Sequence, residues 1–302
     1  MNLAAFARRL DDLFAVDRFV EAGGWDFALS EAEMAELLRF ASPDFAARGN
    51  GLLCAPDPGR HEVARVYLLV FPEASLVDAV IAEQRHRGNP GAVIVTHHPC
   101  DMETSGRGFV AVPSDQLDSL VACNAAIYVL HAPLDCHPEI STSGAIADGL
   151  GLRRIGTFAP YYAGDAGVIA EQAPEPFGAF AARVQRLCEL PRLDPEQVRF
   201  AGRPVSRVAI VAGGGDDVHD LAQAEALGAD TYLAGHWWTP HPGEWSDGNR
   251  AALRDVLPQC RMNLLGASHD GSELVVFRDR LAPLFAGWGL DVALLRQADH
   301  WR

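Results

Sequence analysis

Leu3, Phe6, Leu10, Leu13 and Phe14 recur at helical spacing and predict an amphipathic helix from Leu3 to Val16. Residues 20–60 carry a weaker pattern: a turn at Gly23–Phe27, helical spacing to about Phe40, and a second turn at Gly49–Leu53 entering an apolar strand. From there the pattern is regular. Val66–Phe71 reads as a strand, Leu76–His86 as a helix with Ser75 as its N-cap, and Val93–Val95 as the next strand. A helix from Ser114 to Cys123, a strand at Ile127–Leu130 and a short helix at Ser143–Leu150 follow. Strands alternating with helices of this length predict an α/β fold with largely parallel sheet, covered on both faces.

The pattern changes around residues 152–160, which suggests a lobe boundary. Beyond it come a strand at Ala166–Glu171, a helix at Phe177–Leu190 and a strand at Gln197–Phe200. The buried run Val208–Ala212 enters Gly213-Gly214-Gly215 and a helix to Leu227, and the strand Thr231–Ala234 runs into Gly235-His236-Trp237-Trp238. A helix at Asn249–Leu257, a strand at Met262, a strand at Leu274–Phe277, a helix at Leu281–Ala286 and an edge strand at Val292–Leu295 complete the chain. Each half has a strand-turn-helix unit feeding a strand that ends in ligand-type residues. This loose echo suggests two α/β lobes, residues 1–153 with 262–302 and residues 154–261.

Composition narrows the function classes. The 302 residues are 49% hydrophobic, enough for two lobes, and carry a formal charge of −15 without a basic stripe to offset it. That argues against a nucleic-acid partner, whose phosphates Lys and Arg must neutralise. The six cysteines are scattered without a CxxC pair and read as reduced thiols. No apolar run reaches membrane-spanning length and the N-terminus has no secretory pattern, so a cytoplasmic protein is expected.

The chemistry is concentrated where strands end. Val93-Ile94-Val95-Thr96 delivers His97 and His98, and Pro99 stops the ladder. An isolated His-His pair is equally compatible with hydrogen-bonded or capping histidines. The pattern recurs, however: one strand runs into His131-Ala132-Pro133-Leu134-Asp135, another into His269-Asp270-Gly271-Ser272-Glu273. Both pairs are spaced i, i+4, but Pro133 and Gly271 argue against regular helix, so both segments are read as loops folding back after a strand. His97, His98, Asp135, His269 and Glu273 are the candidate metal ligands. A mixed nitrogen and carboxylate set suits Zn, Mn or Fe(II) better than Ca or Mg. It is too large for one closed tetrahedral zinc, and two divalent ions roughly 3.5–4 Å apart would use it. Such a pair would make a hydroxide nucleophile near neutral pH.

These motifs, together with Trp25-Asp26, Asn50-Gly51-Leu52, the glycine run 213–215 and Gly228–Gly235, occur in an order that resembles the NIF3 family (DUF34, YbgI-like), often labelled type 2 GTP cyclohydrolase I homologues. The resemblance spans nearly the whole chain. It implies two similar α/β lobes, a dinuclear metal centre between them and a ring-shaped homohexamer, in the short form without a mid-chain insertion. It places the five candidate ligands on metal positions and makes His131 a residue that supports those ligands or faces substrate, the candidate catalytic group. Departures lie close by. The family's Asp-Ala-Thr-Pro is replaced by Val70-Phe71-Pro72-Glu73, residues 28–48 are extra, and His236-Trp237-Trp238 stand where relatives carry an acidic residue.

Other candidates have blander readings. His236 and His241 either line the pocket or are exposed loop histidines, and Trp237 and Trp238 read as packing residues. Cys100 and Cys136 read as buried, inert thiols. Gly213–Gly215 lacks the Lys-Ser/Thr of a phosphate loop and is followed by Asp216 and Asp217, so a tight strand-to-helix turn is expected. Asp101 and Glu103 read as solvated loop charges. The expected function is metal-dependent hydrolysis of a small, nucleotide-like substrate; the alternatives are a non-catalytic, ring-forming metal-binding assembly protein and a GTP cyclohydrolase.

Overall fold

The computed structural model describes residues 1–21, 25, 28–102, 108–239, 243–298 and 301. The chain divides into two compact units, Met1–Leu134 with Phe277–Ala298, and Asp135–Val276. Both are mixed α/β, each with its own sheet and core.

The first unit opens with α1 (Leu3–Phe14), which buries Leu3, Phe6, Leu10 and Phe14 of the helical stripe evident in the sequence and leaves Leu13 exposed. Each such burial stabilises the unit by roughly 1.5–3 kcal/mol. Residues 28–48 form α2 (Glu31–Leu38), closed by a Ser30/Glu33 capping box, and α3 (Pro43–Arg48), with Ser42 as N-cap and Pro43 in the first turn. Then come β1 (Gly51–Cys54), β2 (Arg65–Leu69), α4 (Ala74–His86) and β3 (Ala92–Thr96). A small pair, β4 (Cys100–Met102) and β5 (Phe109–Ala111), precedes α5 (Ser114–Ala122), β6 (Ala125–Val129) and the single turn α6 (Ala132–Asp135). Ser75 does not cap α4: the N-cap is Glu73, whose carboxylate accepts the Ser75 hydroxyl.

The second unit contains α7 (Thr142–Gly149), β7 (Arg153–Tyr161), β8 (Gly164–Glu175), α8 (Phe177–Leu187), β9 (Val198–Arg199) and β10 (Val205–Gly214). It continues through α9 (Val218–Ala226), β11 (Thr231–His236), α10 (Glu244–Val256), β12 (Asn263–Gly266) and α11 (His269–Val276). A π-helical turn, Phe277–Leu281, leads to α12 (Ala282–Gly287) and β13 (Asp291–Leu294) in the first unit.

The first sheet has the order β1-β6-β3-β2-β13, parallel except for β1 against β6; β13 is the edge strand expected from the sequence. The second has the order β7-β8-β10-β11-β12-β9, with β10, β11 and β12 parallel. Central runs such as Ala92–Val95 and Val208–Ile210 are wholly buried, as strands covered on both faces must be.

Three features differ from the sequence pattern. The β7–β8 hairpin occupies the proposed lobe boundary: β7 is an edge strand with Arg153–Thr157 exposed, so no apolar alternation marked it. The unit boundaries fall after residues 134 and 276 rather than at 153 and 262, because β12 hydrogen-bonds in parallel with β11 and so belongs to the second sheet. Residues 274–277 are helical rather than extended; the run Leu274–Phe277 is buried throughout, which erases the periodicity that separates helix from strand.

Candidate metal centre

In the first unit the parallel register sets the geometry. Thr96 pairs with Val129 across β3 and β6, so the residues that follow, His97-His98 and Leu130-His131, emerge together at the carboxyl edge. This is where open α/β sheets bind ligands. Thr96 Oγ1 donates to the Val70 and His98 carbonyls, and the His97 and His98 amides both donate to Val70 O at 3.1 Å, which pins the His-His turn to the end of β2. His98 stacks on Phe71 with centroids 4.2 Å apart and planes 4° apart, so the phenyl ring serves as a platform for a histidine.

His97, His98 and His131 each offer a ring nitrogen, and these atoms lie within 4.8 Å of one another, all buried. Two of the three tautomers follow from their partners. His97 Nδ1 lies 2.8 Å from the Leu130 carbonyl, which can only accept, so Nδ1 carries the proton and the lone pair sits on Nε2. His131 Nδ1 lies 2.6 Å from Glu21 Oε2, and an ionised carboxylate, which only accepts, has the same consequence. Nothing in the sequence marked Glu21: it stands in an unpatterned stretch, 110 residues from its partner.

In the second unit the ends of β11 and β12 repeat the arrangement. Ala234 pairs with Gly266, and the strands run into His236 and then His269. The segment 269–273 is the start of α11, not a loop, and the i, i+4 spacing puts the Glu273 carboxylate on the same face as His269, with Oε1 3.1 Å from Nε2. Gly271 does not break this helix. Its missing side chain lets the helix pack closely, since a Cβ there would meet Leu190 Cδ2 at 3.0 Å and the Cys188 carbonyl at 3.3 Å. Likewise Pro133 sits in the single turn α6, where no preceding turn requires its N–H.

The glycine run closes round this pair. A Cβ on Gly213, whose φ is +72°, would lie 2.1 Å from Glu273 Oε1 and 2.9 Å from His269 Nε2. Ser272 Oγ accepts the Gly213 amide at 2.9 Å and donates to the His269 carbonyl, tying the turn to α11. The run is a close-approach turn, and Asp217 caps α9 beyond it. His236 is buried, 5.2 Å between centroids from His269, with Nε2 3.8 Å from Asp216 Oδ1. Burial raises the Asp216 pKa, opposed by the amide of Asn249.

Asp135 is buried, and its Oδ1 accepts the Thr142 hydroxyl at 2.7 Å; it is not a member of the three-imidazole group. Trp237 packs in the core and donates Nε1–H to the Gln197 carbonyl, while Trp238 lies under the Arg254 guanidinium. Asp101 is buried rather than solvated, and Gln297 donates to it. Glu103 and His241 lie outside the described residues, as does Asp26. All six cysteines are thiols; Cys100 is buried, Cys136 is half-buried, and burial pushes the Cys54 thiol up to about 12. No helix among the described residues is long and apolar enough to cross a membrane.

Residues 34–292 match the family model of Duf34/NIF3 (NGG1p interacting factor 3). The chain belongs to the NIF3 family. A GTP cyclohydrolase 1 type 2 homolog of Halobacterium salinarum is 33% identical over 204 residues, 65% of this chain and 74% of that one. A homolog of the same name from Borreliella burgdorferi is 26% identical over 59% of this chain and 77% of its own. Among solved structures, TTHA1606 of Thermus thermophilus superposes with a TM-score of 0.65 at 19% identity, covering 99% of both chains. Protein ybgI, described as of unknown function, gives 0.63 at 20% identity over 99% of this chain and 100% of its own. These structural likenesses establish the NIF3 fold.

The donor chemistry of this NIF3-family chain fits a divalent cation. Three buried imidazoles with Nδ1 held on carbonyl or carboxylate in two of them form the arrangement that orients metal-binding histidines.

Proposed function

We propose that this NIF3-family protein is a metal-dependent hydrolase acting on a small, nucleotide-like substrate, with His97, His98, Asp135, His269 and Glu273 as donors for two divalent ions. The observation that carries the reading is the set of buried imidazoles at adjacent parallel strand ends, with His97 fixed by Leu130 as an Nε2 donor. Bound divalent ions supply Lewis acidity and lower the pKa of coordinated water towards neutrality. The chain's own residues do the rest. The Val70 and Leu130 carbonyls hold the His97-His98 turn, Thr142 holds the Asp135 carboxylate, and Ser272 holds α11 against the Gly213 turn. The charge of −15 disfavours a nucleic-acid polymer as substrate and leaves small molecules as the natural class.

The test is turnover by protein loaded with Zn, Mn or Fe(II) and assayed against phosphoesters, amides and GTP; GTP is included because relatives carry the cyclohydrolase name. Hydrolysis that disappears in His97→Ala at equal folding supports the reading. Full metal occupancy without turnover of any of the three classes overturns it in favour of a non-catalytic assembly role. Sizing by light scattering then measures the homohexamer that this reading also includes.

A further inference from the structure

Glu21 is 1% exposed, and a buried carboxylate is costly unless it is paired and hydrogen-bonded. Its partners form a closed ring. Oε2 faces His131 Nδ1 at 2.6 Å, and Oε1 accepts the Ala132 amide at 3.0 Å and the Asn50 side-chain amide at 2.5 Å. Asn50 turns its other end to the same histidine, its Oδ1 accepting the His131 backbone N–H at 2.8 Å. A backbone N–H can only donate, so this bond fixes which end of the Asn50 amide faces Glu21. Oε1 must therefore accept two donors, and the ionised carboxylate leaves Oε2 to accept from His131 Nδ1. The segment is also anchored: the Glu21 amide donates to the Arg48 carbonyl at 2.7 Å, and Gly49, at φ +73°, passes so close that a Cβ would lie 3.0 Å from Glu21 Cβ.

We propose that Glu21 is a positioning residue that locks His131 in the Nδ1–H form, so that its Nε2 joins His97 and His98 as a third nitrogen donor to a divalent cation. The inference rests on the proposed metal-dependent function. It assigns His131 a donor role in place of a substrate-facing one, through a carboxylate outside the stretch matched to the family. The ring centroid of His131 lies 4.8 Å from that of His97 and 4.9 Å from that of His98, and the donor atoms of all three lie within 4.8 Å. Carboxylate partners of this kind orient ligating histidines and raise their basicity.

Glu21→Gln is the discriminating variant. Gln keeps the shape and the Oε1 acceptor for Asn50 and Ala132, but turns an NH₂ donor towards His131 Nδ1. That nitrogen must then accept, and the proton moves to Nε2. The first measurement is the ¹⁵N spectrum of metal-free, histidine-labelled wild-type protein at pH 8, with the His131 ring assigned by its loss in His131→Asn. The proton is expected on Nδ1, and on Nε2 in Glu21→Gln. The second is Zn²⁺ affinity by competition with a chelator, expected to fall about 10–100-fold in Glu21→Gln. A wild-type His131 with Nδ1 unprotonated overturns the proposal, whether or not the variant folds. So does Glu21→Gln with wild-type Zn²⁺ affinity, even if its melting temperature is lowered. Wild-type protein that takes up no divalent cation removes the proposed function itself; uptake indifferent to Glu21 removes the Glu21 assignment alone.

Discussion

Gly213 and Glu273 approach so closely that a single methyl group on the glycine would lie 2.1 Å from the carboxylate oxygen Oε1. Backbone and side chain share this space only because position 213 has no Cβ, and its φ of +72° independently favours glycine. Gly213→Ala should therefore cost about 1–3 kcal/mol from the left-handed conformation, and more if Glu273 cannot move aside. Because the displaced groups are Glu273 and His269, the variant should lose divalent-cation affinity as well as stability. Urea unfolding and Zn²⁺ titration on one preparation check both; unchanged affinity would mean that the carboxylate has another position open to it.

Metal content should respond to each unit separately. His97→Ala deletes the imidazole whose tautomer the Leu130 carbonyl fixes, and Glu273→Ala deletes the carboxylate paired with His269. Each should lower the metal-to-protein ratio measured by elemental analysis after equilibration with Zn²⁺ or Mn²⁺, while the far-UV circular dichroism stays that of the wild type. Full stoichiometry in either variant would remove that residue from the ligand set.

The parts of this fold legible in the sequence were those with a local cause. Val93–Val95 and Val208–Val211 are apolar runs rich in β-branched residues that form buried strands, and the place of His97 and His98 at the end of the first run follows from the parallel register of β3 with β6. The start of α11 was not legible, because Gly271 looks like a helix breaker until the close approach of Leu190 and Cys188 is known. The β7–β8 hairpin was hidden by exposed Arg153 and Arg154 on an edge strand. Glu21 is the extreme case: its meaning comes wholly from Asn50 and His131, which tertiary folding alone brings to it.

Ser272 ties two of these features together, accepting the Gly213 amide and donating to the His269 carbonyl while fully buried. Ser272→Ala leaves a buried N–H without its acceptor, which costs about 1–3 kcal/mol. Ser272→Cys retains bulk but is a much weaker acceptor, and should recover little. Denaturant midpoints for the three proteins check this. Amide hydrogen exchange at Gly213 should quicken in Ser272→Ala, and an unchanged rate would show that the amide is protected by other means.

Asp220 gives the chain a stability that depends on pH. Burial, and then repulsion from Asp217, push its carboxyl from the ordinary 3.8 up to about 6, opposed by His219. A carboxyl whose pKa is raised on folding binds its proton more tightly in the native state, so the native state is favoured at low pH. That contribution is complete below about pH 4 and is lost as pH rises through about 6. Asp220 is partly exposed, so solvent screening reduces the effect to about 1 kcal/mol rather than the value of the full shift. Asp220→Asn cannot ionise, and should be more stable than the wild type at pH 7.5 and nearly equal to it at pH 4. Melting temperatures of the two proteins across that range should therefore diverge upwards through pH 5–6, and parallel curves would show that Asp220 ionises as freely in the folded chain as in the unfolded one.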